Sequence, residues 1–169
     1  EAIRVVSMLR DWGSEERYHH DLKGFNYRME GVQGAVLRVK MDHIERWTEN
    51  RRRLARRYDE RLGELGYRIP AAPADRRHVY HVYAIRTTRR EELAPFLNER
   101  GIANGIHYPI PVHLQRAFSE LGHERGDFPL AEAAADEVLS LPMFPEMTDE
   151  QHDAVVAALT EWAETKGTD

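Results

Sequence analysis

Two stretches carry side chains able to do chemistry. The first is GFNYRM, Gly24 to Met29, which runs directly into a helical pattern. Asn26 offers an amide, and Arg28 a guanidinium that holds an anion through two parallel N–H groups. They stand before a helix N-terminus, where unpaired amides and the helix dipole attract phosphate. The plainer role is that Asn26 caps a turn and Arg28 pairs with Glu30. The second stretch is GIHYPIPVHLQ, Gly105 to Gln115. It sets two imidazoles (His107, His113), the Tyr108 phenol and the Gln115 amide on a loop stiffened by Pro109 and Pro111. Rigid scaffolds place binding groups on such loops. An ordinary surface loop, its histidines packed on aromatics, has the same composition.

Other candidates are less specific. His19 and His20 are adjacent, but no H-E-x-x-H pattern exists, and metal sites need ligands converging on one point; no metal ligand is assigned. The arginine-rich run Glu45 to Arg61 is interleaved with Glu49, Asp59 and Glu60, which permits i,i+4 pairing and argues for a solvated helix face. A net charge of −5 and a pI near 6.0 also speak against nucleic acid as a partner.

The elements that must position these groups follow from hydrophobic spacing. EAIRVVSMLRDWG opens the chain as a helix already in progress, with no strand before it. From Glu30, apolar residues step by three or four through Leu65, broken only around Arg51. Thirty-five helical residues would span about 53 Å, so this helix is expected to kink or to bridge two domains. VYHVYAIRT, IANGIHY and VLSLPMF read as strands. Thr88 and Glu91 form a capping-box pattern for a helix that ends near Gly101 and contains Pro95. Helices follow at about His113–Leu121 and Leu130–Ala135, and a closing amphipathic helix is capped by Thr148. The 169 residues are enough for one domain or a piece of a larger protein. With 41% apolar and 31% charged residues the composition is globular, and no run is long enough to span a membrane. The chain has no cysteine, which removes disulfides and thiolate chemistry and is compatible with the cytoplasm.

Three ordered segments together resemble one family. RYHHDLKGFNYRMEGVQGAVLRVKMDHIERWTENRRRLARRYDERL, then GIHYPIPVHLQRAF, then FPLAEAAADEVLSLPMFPEMTDEQHDAVVAAL are similar to the DegT/StrS group of sugar-nucleotide aminotransferases, in order and over nearly the whole chain. The resemblance implies an α/β fold, the C-terminal small domain of a fold-type I pyridoxal-phosphate transferase. Residues 1–29 would be the tail of the large domain, 30–65 the long connecting helix, and 66–169 the small domain with its sheet flanked by helices.

It also implies a function. The full-length protein would transfer an amino group, with glutamate as donor, to a nucleotide-linked keto-sugar. The cofactor would be pyridoxal 5'-phosphate and the partner a second subunit of a homodimer. Asn26 matches the asparagine that reaches the cofactor phosphate of the neighbouring subunit, and Arg28 the arginine that supports it. The loop places His107, Tyr108, His113 and Gln115 as substrate contacts. Gly34 and Asn104 depart from the usual pattern; the first bears on helix stability, the second leaves substrate preference open. The family's Schiff-base lysine lies upstream, and Lys23, Lys40 and Lys166 do not stand in its context. This chain alone is then expected to be inactive. The alternative is a stand-alone, non-catalytic binding module on the same fold.

Overall fold

The structure, a computed structural model, describes residues Glu1 to Thr168. By internal contacts the chain forms two compact units, Glu1–Ile44 and Glu45–Asp169.

The first unit contains α1 (Ala2–Arg10) and α2 (Gly31–Met41). Met8 is its buried apolar anchor, while Ile3, Val6, Val32, Val36 and Val39 are exposed. Its shape comes mainly from backbone. Trp12 N–H donates to Phe25 O (2.9 Å), Phe25 N–H to Leu9 O (2.6 Å), and Tyr27 N–H to Arg10 O (2.8 Å). The helical run expected from 30 to 65 is interrupted at Asp42–His43, where His43 N–H turns back to Lys40 O (3.0 Å). Around Arg51, where the apolar step falters, α3 (Ile44–Glu64) runs on unbroken.

The second unit holds the core. Leu54, Ala55, Tyr58 and Leu62 recur at helical spacing on one stripe of α3 and are buried. They pack with β1 (Tyr83–Arg86), α4 (Arg90–Glu99), β2 (Val138–Leu141) and α6 (Asp149–Lys166). The strands are antiparallel, with Tyr83 opposite Leu141, Ala84 opposite Ser140 and Ile85 opposite Leu139. Isolated bridges add Arg68 beyond β1 and Gly105 beyond β2. Alternation puts Tyr83, Ile85, Leu139 and Leu141 into the core. Buried phenols find acceptors: Tyr58 donates to Pro142 O (3.1 Å), Tyr67 to Leu159 O (2.9 Å) and Tyr83 to Asp59 (2.7 Å). Burial pushes all three well above the ordinary tyrosine pKa. His152, almost fully buried, lies against Tyr58 at 4.0 Å and donates from Nε2 to Leu54 O (3.2 Å). Arg53 and Arg57 of α3 pair with Asp149 and Asp153 of α6, and Arg77 with Glu45 and Glu49. The interleaved charges thus connect elements more than they pair along α3.

Several elements differ from sequence expectation for local reasons. The strand expected from Val79 begins only at Tyr83, because His78 Nδ1 captures Tyr80 N–H (2.9 Å) and Tyr80 takes a positive φ. IANGIHY contributes one bridge rather than a strand; Ile102 N–H closes the end of α4 onto Leu97 O, and two prolines beyond Tyr108 bring no N–H. Thr88 does not cap α4. Thr87 instead accepts from Arg89 N–H (3.1 Å). The helix expected over His113–Leu121 is a pair of 3₁₀ turns, Val112–Leu114 and Arg116–Leu121, and α5 runs Pro129–Glu137. Thr148 does cap α6, its hydroxyl accepting from Gln151 N–H (3.2 Å) while Gln151 Oε1 accepts from Thr148 N–H (3.0 Å).

Candidate functional site

The turn Gly24–Met29 is built where two backbone segments touch. Gly13 has φ +78°, and a Cβ there would lie 1.7 Å from Leu22 O; one at Gly24 would lie 2.1 Å from Gly13 N. Only glycine allows this approach. Asn26 sits opposite Asp11 in an antiparallel bridge, so its backbone is fixed. Its side chain is exposed and, among the described residues, has no hydrogen-bond partner. Arg28 donates to Asp11 Oδ1 (2.8 Å), not to Glu30 as the plainer sequence reading had it. About half of the Arg28 side chain stays exposed, leaving N–H groups to spare. Glu30 begins α2, its N–H donating to Gln33 Oε1 (2.9 Å). Asn26 to Glu30, with Val32, Gln33, Val36 and Leu37, line a shallow concavity of about 860 Å³. An amide, a guanidinium and a helix N-terminus on one concavity make a donor set suited to a phosphate.

The Gly105–Gln115 loop is built by side chains. His107 Nδ1 lies 2.9 Å from the hydroxyl of buried Ser140 on β2. Tyr108 stands edge-on to His107, their centroids 5.4 Å apart, and its ring is exposed. His113 is different. Its side chain is 9% exposed and its Nε2 meets Glu132 Oε1 at 3.1 Å. Glu132 is itself buried on α5 and accepts from Gly126 N–H (2.8 Å) and Phe128 N–H (3.2 Å). Gly126 N–H first, then Phe128 N–H and His113, hold this carboxyl below the usual glutamate range despite its burial. Gln115 Nε2 donates weakly to Ile110 O (3.5 Å). An open, largely apolar cavity of about 610 Å³ lies here, walled by Tyr108, Ile110, Val112, Phe118, Leu121 and Phe128. His107 and Tyr108 also line it and are exposed, whereas His113 faces a protein carboxylate.

Asp11, Glu132 and Ser140 were not among the residues singled out from sequence. Asp11 carried a signal, since an acid at the C-terminus of α1 opposes the helix dipole and asks for a cation. Ser140 is the one hydroxyl within the apolar run VLSL. Glu132 looked like an ordinary first-turn acid. His19 and His20 form no metal site; among the described residues no group of three histidines or carboxylates is placed to hold a metal ion. Among the described residues no helix is long and apolar enough to cross a membrane.

Comparison with known proteins places this geometry. The "Pleiotropic regulatory protein" of Geobacillus stearothermophilus is 44% identical over 165 residues, covering 96% of this chain and 44% of that protein. The dTDP-3-amino-3,4,6-trideoxy-alpha-D-glucose transaminase of Streptomyces venezuelae is 41% identical over 165 residues, covering 97% of this chain and 44% of its own length. The crystal structure of S. venezuelae DesV in complex with a ketimine intermediate superposes with a TM-score of 0.89 at 41% identity, over 96% of this chain and 44% of that one. The chain therefore spans less than half the length of these relatives, and its α/β fold matches that part of a sugar aminotransferase. The family model of the DegT/DnrJ/EryC1/StrS aminotransferases matches residues 1–160, and the chain belongs to that family.

Proposed function

We propose that the chain is the C-terminal part of a pyridoxal-phosphate aminotransferase that moves an amino group from glutamate to a nucleotide-linked keto-sugar. The observation that carries this is the Asn26 side chain: unpartnered, exposed, on a fixed backbone, beside Arg28 and the start of α2. In this reading Asn26 donates to a cofactor phosphate oxygen of the partner subunit in a homodimer. Arg28, steered by Asp11, adds positive charge. The cofactor, when bound, supplies the electron sink for the amino transfer. The chain's own residues bind and orient. His107 and Tyr108 meet the sugar nucleotide at the cavity rim, and Gln115 offers its amide nearby. His113 serves the same substrate by fixing the loop through Glu132.

The test is amino transfer by the full-length protein, with glutamate and a panel of nucleotide-linked keto-sugars. Formation of amino sugar matched one-to-one by 2-oxoglutarate is expected. Full-length protein that neither binds pyridoxal phosphate nor aminates any member of the panel would overturn the proposal. The second reading, a non-catalytic module, draws on the relative named as a pleiotropic regulatory protein. The two separate on the reading frame upstream of Glu1: a large α/β domain with a lysine-bearing strand supports the enzyme.

A further inference from the structure

His107 lines the rim of the apolar cavity and also two neighbouring concavities of about 240 and 450 Å³. No other residue named here for the substrate reaches all three. Its ring cannot take that place by itself, since an exposed histidine turns freely about two bonds. Three features hold it. Gly105 pairs with Ser140 through both backbone bonds, Gly105 N–H to Ser140 O (3.2 Å) and Ser140 N–H to Gly105 O (2.7 Å). This brings residue 107 back over the strand. Gly105 has no side chain, and a Cβ there would crowd His107 Cε1 at 3.1 Å, so the ring lies across the glycine. Beneath it the Ser140 hydroxyl, on a residue only 6% exposed, meets Nδ1 at 2.9 Å.

We infer that Ser140 is a positioning residue for the sugar-nucleotide site: its hydroxyl holds the His107 ring by Nδ1 and leaves Nε2 to hydrogen-bond a polar group of the substrate. The inference rests on the substrate role proposed for the loop. Among the described residues the Ser140 hydroxyl has no other partner, so whichever of the two groups donates, this contact decides which ring nitrogen carries the proton. A neutral imidazole that accepts at Nδ1 carries its proton on Nε2, and one that donates from Nδ1 leaves Nε2 as an acceptor, so a single partner at Nδ1 selects a single tautomer. The pairing also separates the two loop histidines. His113 spends its Nε2 on Glu132, whereas His107 keeps its Nε2 for a ligand. Ser140 alternates with the core residues Leu139 and Leu141 and borders the smaller concavity.

The experiment compares full-length wild type with Ser140→Ala and Ser140→Thr, using steady-state kinetics and the ring-nitrogen spectrum of ¹⁵N-histidine protein, with His107 assigned by its loss in His107→Gln. Ser140→Ala should raise KM for the sugar nucleotide roughly fivefold, the worth of one neutral hydrogen bond, and leave KM for the amino donor unchanged. Its His107 nitrogens should shift from a single tautomer toward a tautomer mixture. Ser140→Thr, which keeps the hydroxyl, should restore both. Unchanged sugar-nucleotide KM and unchanged nitrogen shifts in Ser140→Ala would overturn the inference, as would an equal loss for both substrates that threonine does not rescue. A wild-type protein that aminates no sugar nucleotide overturns the substrate role itself and this inference with it. That case is recognisable because the failure precedes any substitution.

Discussion

The Gly24–Met29 turn and the Gly105–Gln115 loop hold their polar groups by opposite means. The turn is a product of main chain: three backbone hydrogen bonds and two glycines at a crossing leave the Asn26 side chain free. The loop is a product of buried side chains: Ser140 under His107, and Glu132 gathering His113, Gly126 and Phe128. Substituting the displayed residue should therefore remove one contact in the turn without moving anything. In the loop, the substitutions that matter most are those of residues never displayed. His107 and His113 can be repositioned from behind, and Asn26 cannot.

The largest effect expected from this contrast is at the backbone crossing. Gly24→Ala puts a methyl 2.1 Å from Gly13 N, main chain against main chain. It should cost about 3 kcal/mol or more in stability of the full-length protein and abolish saturable cofactor binding. At Gly105 the three atoms nearest an added methyl all belong to the His107 side chain, so Gly105→Ala should leave the melting temperature nearly unchanged. Equal melting temperatures for the two alanine variants would break the comparison.

Next comes Asn26→Ala, which should weaken pyridoxal-phosphate affinity of the full-length protein by roughly ten- to hundredfold, the value of one hydrogen bond to a charged group, with melting of the apo form unaffected. In mixed dimers, an Asn26→Ala subunit is paired with one lacking the cofactor lysine. A cross-subunit role puts both lesions in one site and leaves the other normal; two impaired sites would refute that role.

A smaller effect is expected at Glu132→Gln, which replaces a carboxylate acceptor by a weaker amide. Hydrogen exchange at Gly126 and Phe128 should accelerate on the order of tenfold, and His113 should loosen with them. Unchanged exchange there would mean that the loop is not tied from behind.

The smallest effect is a slope with pH from His152. Burial first, and then the nearby Arg57 charge, lower its pKa in the folded state. As pH falls below about 6.5 the unfolded chain takes up this proton before the folded one does, so stability declines toward lower pH. Urea unfolding between pH 7.5 and 5.5 should show the decline in the wild type and a flatter profile in His152→Gln.

The contrast also explains what the sequence disclosed. Asn26 and Arg28 were visible because short-range order makes the turn: glycines, a helix start and polar residues within a few positions. The cap at Thr148 and the stripe on α3 were visible for the same reason. His107 and His113 were visible as residue types, but not as a pair with different duties. Their partners lie 33 and 19 positions away, and neither Ser140 nor Glu132 breaks the pattern of its own element. The interruption at Asp42–His43 was hidden because no glycine or proline marks it, and the early end of IANGIHY because a strand's length depends on what its edge finds to pair with.

The pairing of α3 with α6 has a consequence during synthesis. Leu54, Tyr58 and Leu62 are made about a hundred residues before Val155, Leu159 and Trp162, which complete their core. At ribosomal speeds of roughly 5–20 residues per second that gap lasts several seconds. Throughout it the part of the stripe that α6 covers stays open on the nascent chain, and it becomes a target for any holding factor that grips exposed leucine and tyrosine. A chain released before Val155 is made would be left in that same unfinished condition.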